Sequence, residues 1–146
     1  LPHFQEALRL KPDYAAAQMN WGIGLVMSKR LGEALPHFEE AVRLGPAMPD
    51  THYSLGRALV LAGRVDDGIA QFQEAIQIEP NYPEAQNNLG ILLGRTGRLD
   101  EASHHFQEAI RYRPNYADAH YDLSVALGMA GRLDDAIVQY QMVIGL

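Results

Sequence analysis

Cysteine is absent from the 146-residue sequence. No disulfide, thiolate zinc site or thiol nucleophile is therefore available, although this does not fix a compartment; the cytoplasm is the expectation. Hydrophobic residues make up 47% of the chain, yet no apolar run approaches the roughly 20 residues that span a bilayer, so a membrane is not an expected partner. Basic residues are the minority, 12 against 18 acidic, for a formal charge of −6. An acidic balance repels phosphate backbones, and nucleic acid is not an expected partner either. No stretch shows the strict apolar–polar alternation of a half-buried strand. A phosphate-cradling loop is missing too: Gly22-Ile23-Gly24 is a partial glycine pattern inside a helix and reads as close packing. No secretory leader is visible at the start, which means little, because the chain opens inside a repeated unit.

What the sequence does have is repetition. Pro12, Pro46, Pro80 and Pro114 are each 34 residues apart. Aligned on them, Phe4, Phe38, Phe72, Phe106 and Tyr140 share one column, and Ala7, Ala41, Ala75, Ala109 and Val143 a second. Gly22, Gly56, Gly90 and Ser124 form a third, flanked by Trp21, Leu55, Leu89 and Leu123, with Leu25, Leu59, Leu93 and Leu127 four residues on. Ala34, Gly68, Ala102 and Ala136 form a small-residue column.

Each unit reads as two helices. In the third, a helix from about Pro83 to Thr96 ends at Gly97, which suits a left-handed terminating residue. Asp100, like Asp66 and Asp134, suits the N-cap of the next helix, which runs to about Tyr112 before Pro114 stops it. Pro49 and Pro83 fall in the first turn of first helices, where a missing N–H is tolerated. The small columns predict close backbone approach, with the phenylalanines filling the space between hairpins; stacked hairpins then share one core. Two departures stand out. Lys29 replaces the inter-helix glycine and Gly32 the capping aspartate, predicting a shifted or looser turn, while Pro36 is expected in the first turn of its helix.

Asn88-Leu89-Gly90, Ala102, Phe106, Ala109 and Pro114 match in order the pattern of the tetratricopeptide repeat, and the chain resembles that family over essentially its whole length. The resemblance implies an all-α, right-handed superhelical solenoid with a concave groove lined by first helices. The expected organisation is a single domain: a trailing helix at 1–14, full repeats at 15–48, 49–82 and 83–116, and a last repeat at 117–146. Leu1 to Leu10 aligns with second helices. With neither end polar, head-to-tail self-association through apolar end faces is expected.

Beside the core stripe, each first helix carries a second stripe at i, i+3 and i+7. The candidate groove residues are Met19, Asn20, Tyr53, Ser54, Arg57, Asn87, Asn88, Arg95, Tyr121 and Asp122. The sharpest column is Asn20, Ser54, Asn88 and Asp122. An asparagine amide both donates and accepts, so its repetition makes a ladder able to grip an extended peptide backbone. Asn88, and Asn20 in a close variant, resemble the asparagines of O-GlcNAc transferase-like repeats, while Ser54 and Asp122 depart from them. The cationic clamp with which some repeats of this family hold acidic C-termini is missing. Arg57 and Arg95 face Asp50, Glu84, Asp118 and Asp122, so the groove is expected to prefer neutral or mildly basic ligands.

Six histidines do not suggest a metal. His3, His37 and His105 share an outward column, His104 neighbours His105, and His52 and His120 share a column near first-helix starts; none forms a helical i, i+4 pair. Carboxylate pairs such as Glu39-Glu40 and Asp134-Asp135 suit helix dipoles rather than acid–base chemistry. Arg30, Arg64, Arg98 and Arg132 fall at inter-helix turns as solvated or capping residues. The expectation is a non-catalytic scaffold without cofactor that binds a protein or peptide, or alternatively a self-assembling spacer or the substrate-recruiting arm of a larger enzyme.

Overall fold

The computed structural model describes residues 12–145. The helix expected over Leu1 to Leu10, with His3, Phe4 and Ala7, lies outside the described residues. Among those described there are eight helices and no strand: α1 Pro12–Met27, α2 Leu31–Leu44, α3 Pro49–Leu61, α4 Val65–Ile78, α5 Pro83–Arg95, α6 Leu99–Tyr112, α7 Ala117–Met129 and α8 Leu133–Gly145. They fall in two compact units, Leu1–Glu79 and Pro80–Leu146. The first holds the hairpins α1–α2 and α3–α4, the second α5–α6 and α7–α8. Pro12 is the first residue of α1, a position that proline's fixed φ suits.

Each hairpin turns on one left-handed residue. Gly63, Gly97 and Gly131 have φ of 80°, 79° and 78°, and the N–H of the next residue reaches back across the last helical turn: Arg64 to Leu59 O at 2.9 Å, Arg98 to Leu93 O at 3.0 Å, Arg132 to Leu127 O at 2.9 Å. This closes the helix on carbonyls that would otherwise lack partners. Lys29 does the same. Its φ is 60° and Arg30 N–H reaches Leu25 O at 2.8 Å. The looser turn expected there does not form, because the hydrogen bonds hold a lysine in the glycine conformation.

The second-helix starts also differ from expectation. Arg30, Arg64 and Arg98 occupy the N-cap and make no side-chain cap. Asp66, Asp100 and Asp134 lie inside the first turn, where they complement the helix dipole. The turn arginines reach forward instead. Arg30–Glu33 (2.7 Å), Arg64–Asp67 (2.8 Å), Arg98–Glu101 (2.6 Å) and Arg132–Asp135 (2.7 Å) are all i,i+3 ion pairs. The arginine hydrogen bonds hold the Glu33 and Glu101 carboxyls below the usual range. All four pairs are well exposed and screened by solvent, so they contribute little to stability. Pro36 lies in the second turn of α2 rather than the first, and the helix continues through it to Leu44.

The core is built on rings set against glycines. Phe38, Phe72 and Phe106 are 2–3% exposed. A Cβ on Gly22 or Gly56 would come within 2.9 Å of the Phe38 or Phe72 ring, and one on Gly90 within 2.6 Å of Phe106. Only glycine lets the ring lie on the helix backbone. In the fourth hairpin Ser124 takes the glycine position and is tolerated because the corresponding ring, Tyr140, is 51% exposed. Across the hairpin, Ala34 and Ala102 are fully buried, and a Cβ on Gly68 would lie 2.5 Å from a Val60 methyl. In the first unit Leu25, Ala34, Phe38, Leu55, Ala58 and Leu59 form a single cluster, with Met19, Val26, Leu31, Leu35 and Val42 packed against it.

Lys29→Gly should stabilise the chain by about 0.5–1 kcal/mol, because a left-handed φ is strained for lysine and free for glycine. Urea denaturation measures it; an unchanged or lowered midpoint would show that the lysine side chain offsets the strain.

Candidate functional site

Within each unit the first helices of successive hairpins lie side by side, α1 with α3 and α5 with α7. A cavity opens between each pair. That of the first unit, ≈ 150 Å³, is lined by Ile23, Val26, Met27, Phe38, Ser54, Arg57, Ala58 and Leu61. That of the second, ≈ 230 Å³, is lined by Ile91, Gly94, Arg95, Leu99, Phe106, Asp122, Val125, Ala126 and Met129. The linings correspond at an offset of two repeats. Ile23 matches Ile91, Met27 matches Arg95, Ser54 matches Asp122, Arg57 matches Val125 and Leu61 matches Met129. The wall is apolar in both because the same core phenylalanine forms its back.

The candidate residues meet different fates. Ser54 and Arg57 share the first cavity, and Arg95 and Asp122 the second. Arg57 lies over the Tyr53 ring, 5.7 Å from its centroid, and Tyr53 rests 5.8 Å from the Phe72 ring. Met19 packs against the core cluster. Asn20 is exposed and Asn88 half-buried. Asn87 is buried and donates from Nδ2 to Asp122 Oδ2 at 3.1 Å, leaving its own Oδ1 without a hydrogen-bond partner. Burial pushes the Asp122 carboxyl above the usual carboxylate range, although the Asn87 hydrogen bond and the neighbouring Asp118 act on it in opposite directions. Tyr121 borders a separate cavity of ≈ 570 Å³ between α7 and α8, with Val125, Leu133, Ile137 and Tyr140.

The histidines form part of the scaffold. His37 Nδ1 meets Gln18 Oε1 at 2.7 Å, His52 meets Gln71 at 2.8 Å, His105 meets Gln86 at 2.7 Å and His120 meets Gln139 at 2.8 Å. Each pair ties the two helices of one hairpin, and the histidine alternates between second and first helix. His52 Nε2 also reaches Pro46 O (3.1 Å) and His120 Nε2 reaches Pro114 O (2.8 Å); Gln86 Nε2 does the same to Pro80 O at 3.4 Å. A neutral ring that gives its Nε2 proton to the proline carbonyl accepts at Nδ1 from the glutamine amide turned about; an imidazolium donates to both. Burial holds His105 below its ordinary value, helped by His104 beside it. Sequence reading placed these histidines in columns but did not pair them with glutamines 19 residues away. The signal was present: one position of each pair is His and the other Gln in all four units.

Among the described residues no group of three or more His, Cys, Asp or Glu side chains converges as a metal site, and no helix is long and apolar enough to cross a membrane.

Comparison with known proteins places this geometry. Solved structures of MamA share the fold. One superposes with a TM-score of 0.84 at 20% identity, covering 97% of this chain and 83% of that one. Another, MamA from residue 41 to its end from Desulfovibrio magneticus RS-1, gives 0.81 at 22% identity, covering 91% and 75%. At such identities the likeness is one of fold, an all-α helical solenoid. No curated protein sequence matches the chain significantly. The sequence profile described as Tetratricopeptide repeat matches residues 1–49 and 87–144, and a second, TPR repeat, matches 56–97. With most of its length matched and its hairpins in the same 34-residue register, the chain belongs to the tetratricopeptide repeat family.

Proposed function

We propose that this chain is a non-catalytic scaffold that binds an extended peptide or a partner helix along the first-helix faces. The family supports a protein-interaction role in general terms. The observation that carries the finer reading is the pair of equivalent cavities, each open between first helices and each lined by a member of the polar column, Ser54 in one and Asp122 in the other. Apolar side chains of a ligand fit such cavities, and the polar column beside them offers donors and acceptors to its backbone. Asn20 and Asn88 are the amide members of that column, as in O-GlcNAc transferase-like repeats. Asp122 offers carboxylate oxygens as acceptors, one of them already bonded to the Asn87 amide.

A pull-down comparing the parent chain with a variant carrying Asn20→Ala, Ser54→Ala, Asn88→Ala and Asp122→Ala tests this, with helical circular dichroism confirming that both fold. The parent should capture a protein that the variant loses; identical capture by both sinks the groove reading.

A second reading, self-association, is favoured by the outer face of α8. Leu133, Ile137, Val138, Met142 and Ile144 are 47–73% exposed, an apolar surface suited to burial against another copy of the chain. Light scattering should show mass rising with concentration, and Ile137→Glu should return the chain to monomer. Monomer alone at the highest concentration would remove this reading.

A further inference from the structure

The two cavities share a register but not a charge pattern. Among the described residues Arg30, Arg43, Arg64, Arg98, Arg111, Arg113 and Arg132 each pair with a carboxylate. Arg57 and Arg95 have no such partner, and these are the two arginines that line the cavities. The acids expected to oppose them are partly committed elsewhere. Glu84 is taken by Arg113. Asp122 holds the Asn87 amide, and its charge is disfavoured by burial. No carboxylate lines the first-unit cavity at all.

That cavity also has an apolar wall of Ile23, Val26, Phe38 and Ala58, with Met27 and Leu61 at 81% and 61% exposure around it. A void of ≈ 150 Å³ accepts a phenyl-sized or branched aliphatic group. The Arg57 guanidinium is already held on the face of Tyr53, which is in turn backed by Phe72. A cation fixed in this way loses little side-chain freedom when it meets an anion.

We infer that the α1–α3 cavity is a socket for an acidic peptide segment, in which a large aliphatic side chain enters the cavity and an adjacent side-chain carboxylate pairs with Arg57. This rests on the groove-binding reading and gives its ligand a charge opposite to the one expected from the sequence. The planar guanidinium suits a bidentate carboxylate bond. The second-unit cavity does not take the same ligand well, because Asp122 stands where Ser54 does in the first and adds a repelling oxygen.

Fluorescence anisotropy with the whole chain tests the socket. The probe is a dye-labelled octapeptide, blocked at both ends, in which leucine alternates with glutamate; its counterparts replace glutamate with lysine or leucine with serine. The leucine–glutamate peptide should bind saturably and both counterparts at least about tenfold more weakly. Arg57→Gln should weaken binding by about 10- to 100-fold, the range for a lost hydrogen bond to a charged group. Arg57→Lys should keep part of the affinity, and Arg95→Gln should change it by less than about threefold. Equal or tighter binding of the leucine–lysine peptide, or an Arg57→Gln variant that binds as the parent does, overturns the socket; if that binding is still lost with the four-alanine column variant, the groove reading stands without it. Binding by none of the three overturns the socket outright. An unblocked peptide ending in leucine that gains as much as glutamate provides would move the carboxylate to a chain terminus and overturn the side-chain assignment.

Discussion

The ring of a phenylalanine lying on the bare backbone of a glycine is the contact on which each complete hairpin depends. It brings the two helices close enough for Ala34 and Ala102 to be fully buried between them, and it uses the ring as the back wall of the space between successive first helices. Burying such a ring contributes about 1.5–3 kcal/mol relative to exposure. Its directional consequence matters more. Because the ring fixes which face of a first helix points inward, the residues one step round that helix are left facing the neighbouring first helix. The site is thus a by-product of the packing geometry, repeated wherever the geometry repeats.

Polar structure reinforces the same arrangement without taking part in the groove. The histidine–glutamine pairs tie each hairpin across its two helices, and where the first-helix member is His52, His120 or Gln86 it also satisfies a proline carbonyl at the preceding turn. Buried groups of this kind are valuable chiefly because leaving one unpaired costs about 1–3 kcal/mol. The turn arginines add surface pairs of small worth. Among the described arginines, Arg57 and Arg95 alone are outside these and the other ion pairs, and they line the two cavities.

The repeat made much of this legible before any coordinates. In the third unit periodicity located the helix ends to within a residue or two, since proline and glycine mark them by backbone chemistry that depends little on context. Ser54, Arg57, Arg95 and Asp122, expected on one stripe, line the two cavities between first helices. Other features depended on neighbours that no single column reveals. Asp66 and Asp100 read as N-caps but are the second residues of their helices, because the turn arginine before each takes the N-cap. Lys29 read as a shifted or looser turn, yet local backbone hydrogen bonds close it as in the glycine turns. Asn87 read as a groove residue and is buried against Asp122. The partnering of His with Gln was hidden because the two residue types exchange positions between units, so neither column looks uniform.

The most direct test of the ring-on-glycine contact is a double-mutant cycle of Gly90→Ala with Phe106→Leu, followed by urea denaturation. Alanine at 90 places a methyl against the Phe106 ring, so Gly90→Ala alone should destabilise by about 1–3 kcal/mol despite alanine's better helix propensity. With leucine at 106 most of that loss should disappear, giving a coupling of about 1 kcal/mol or more. Additivity within about 0.5 kcal/mol would contradict the account, because it would mean that the ring and the glycine do not determine each other.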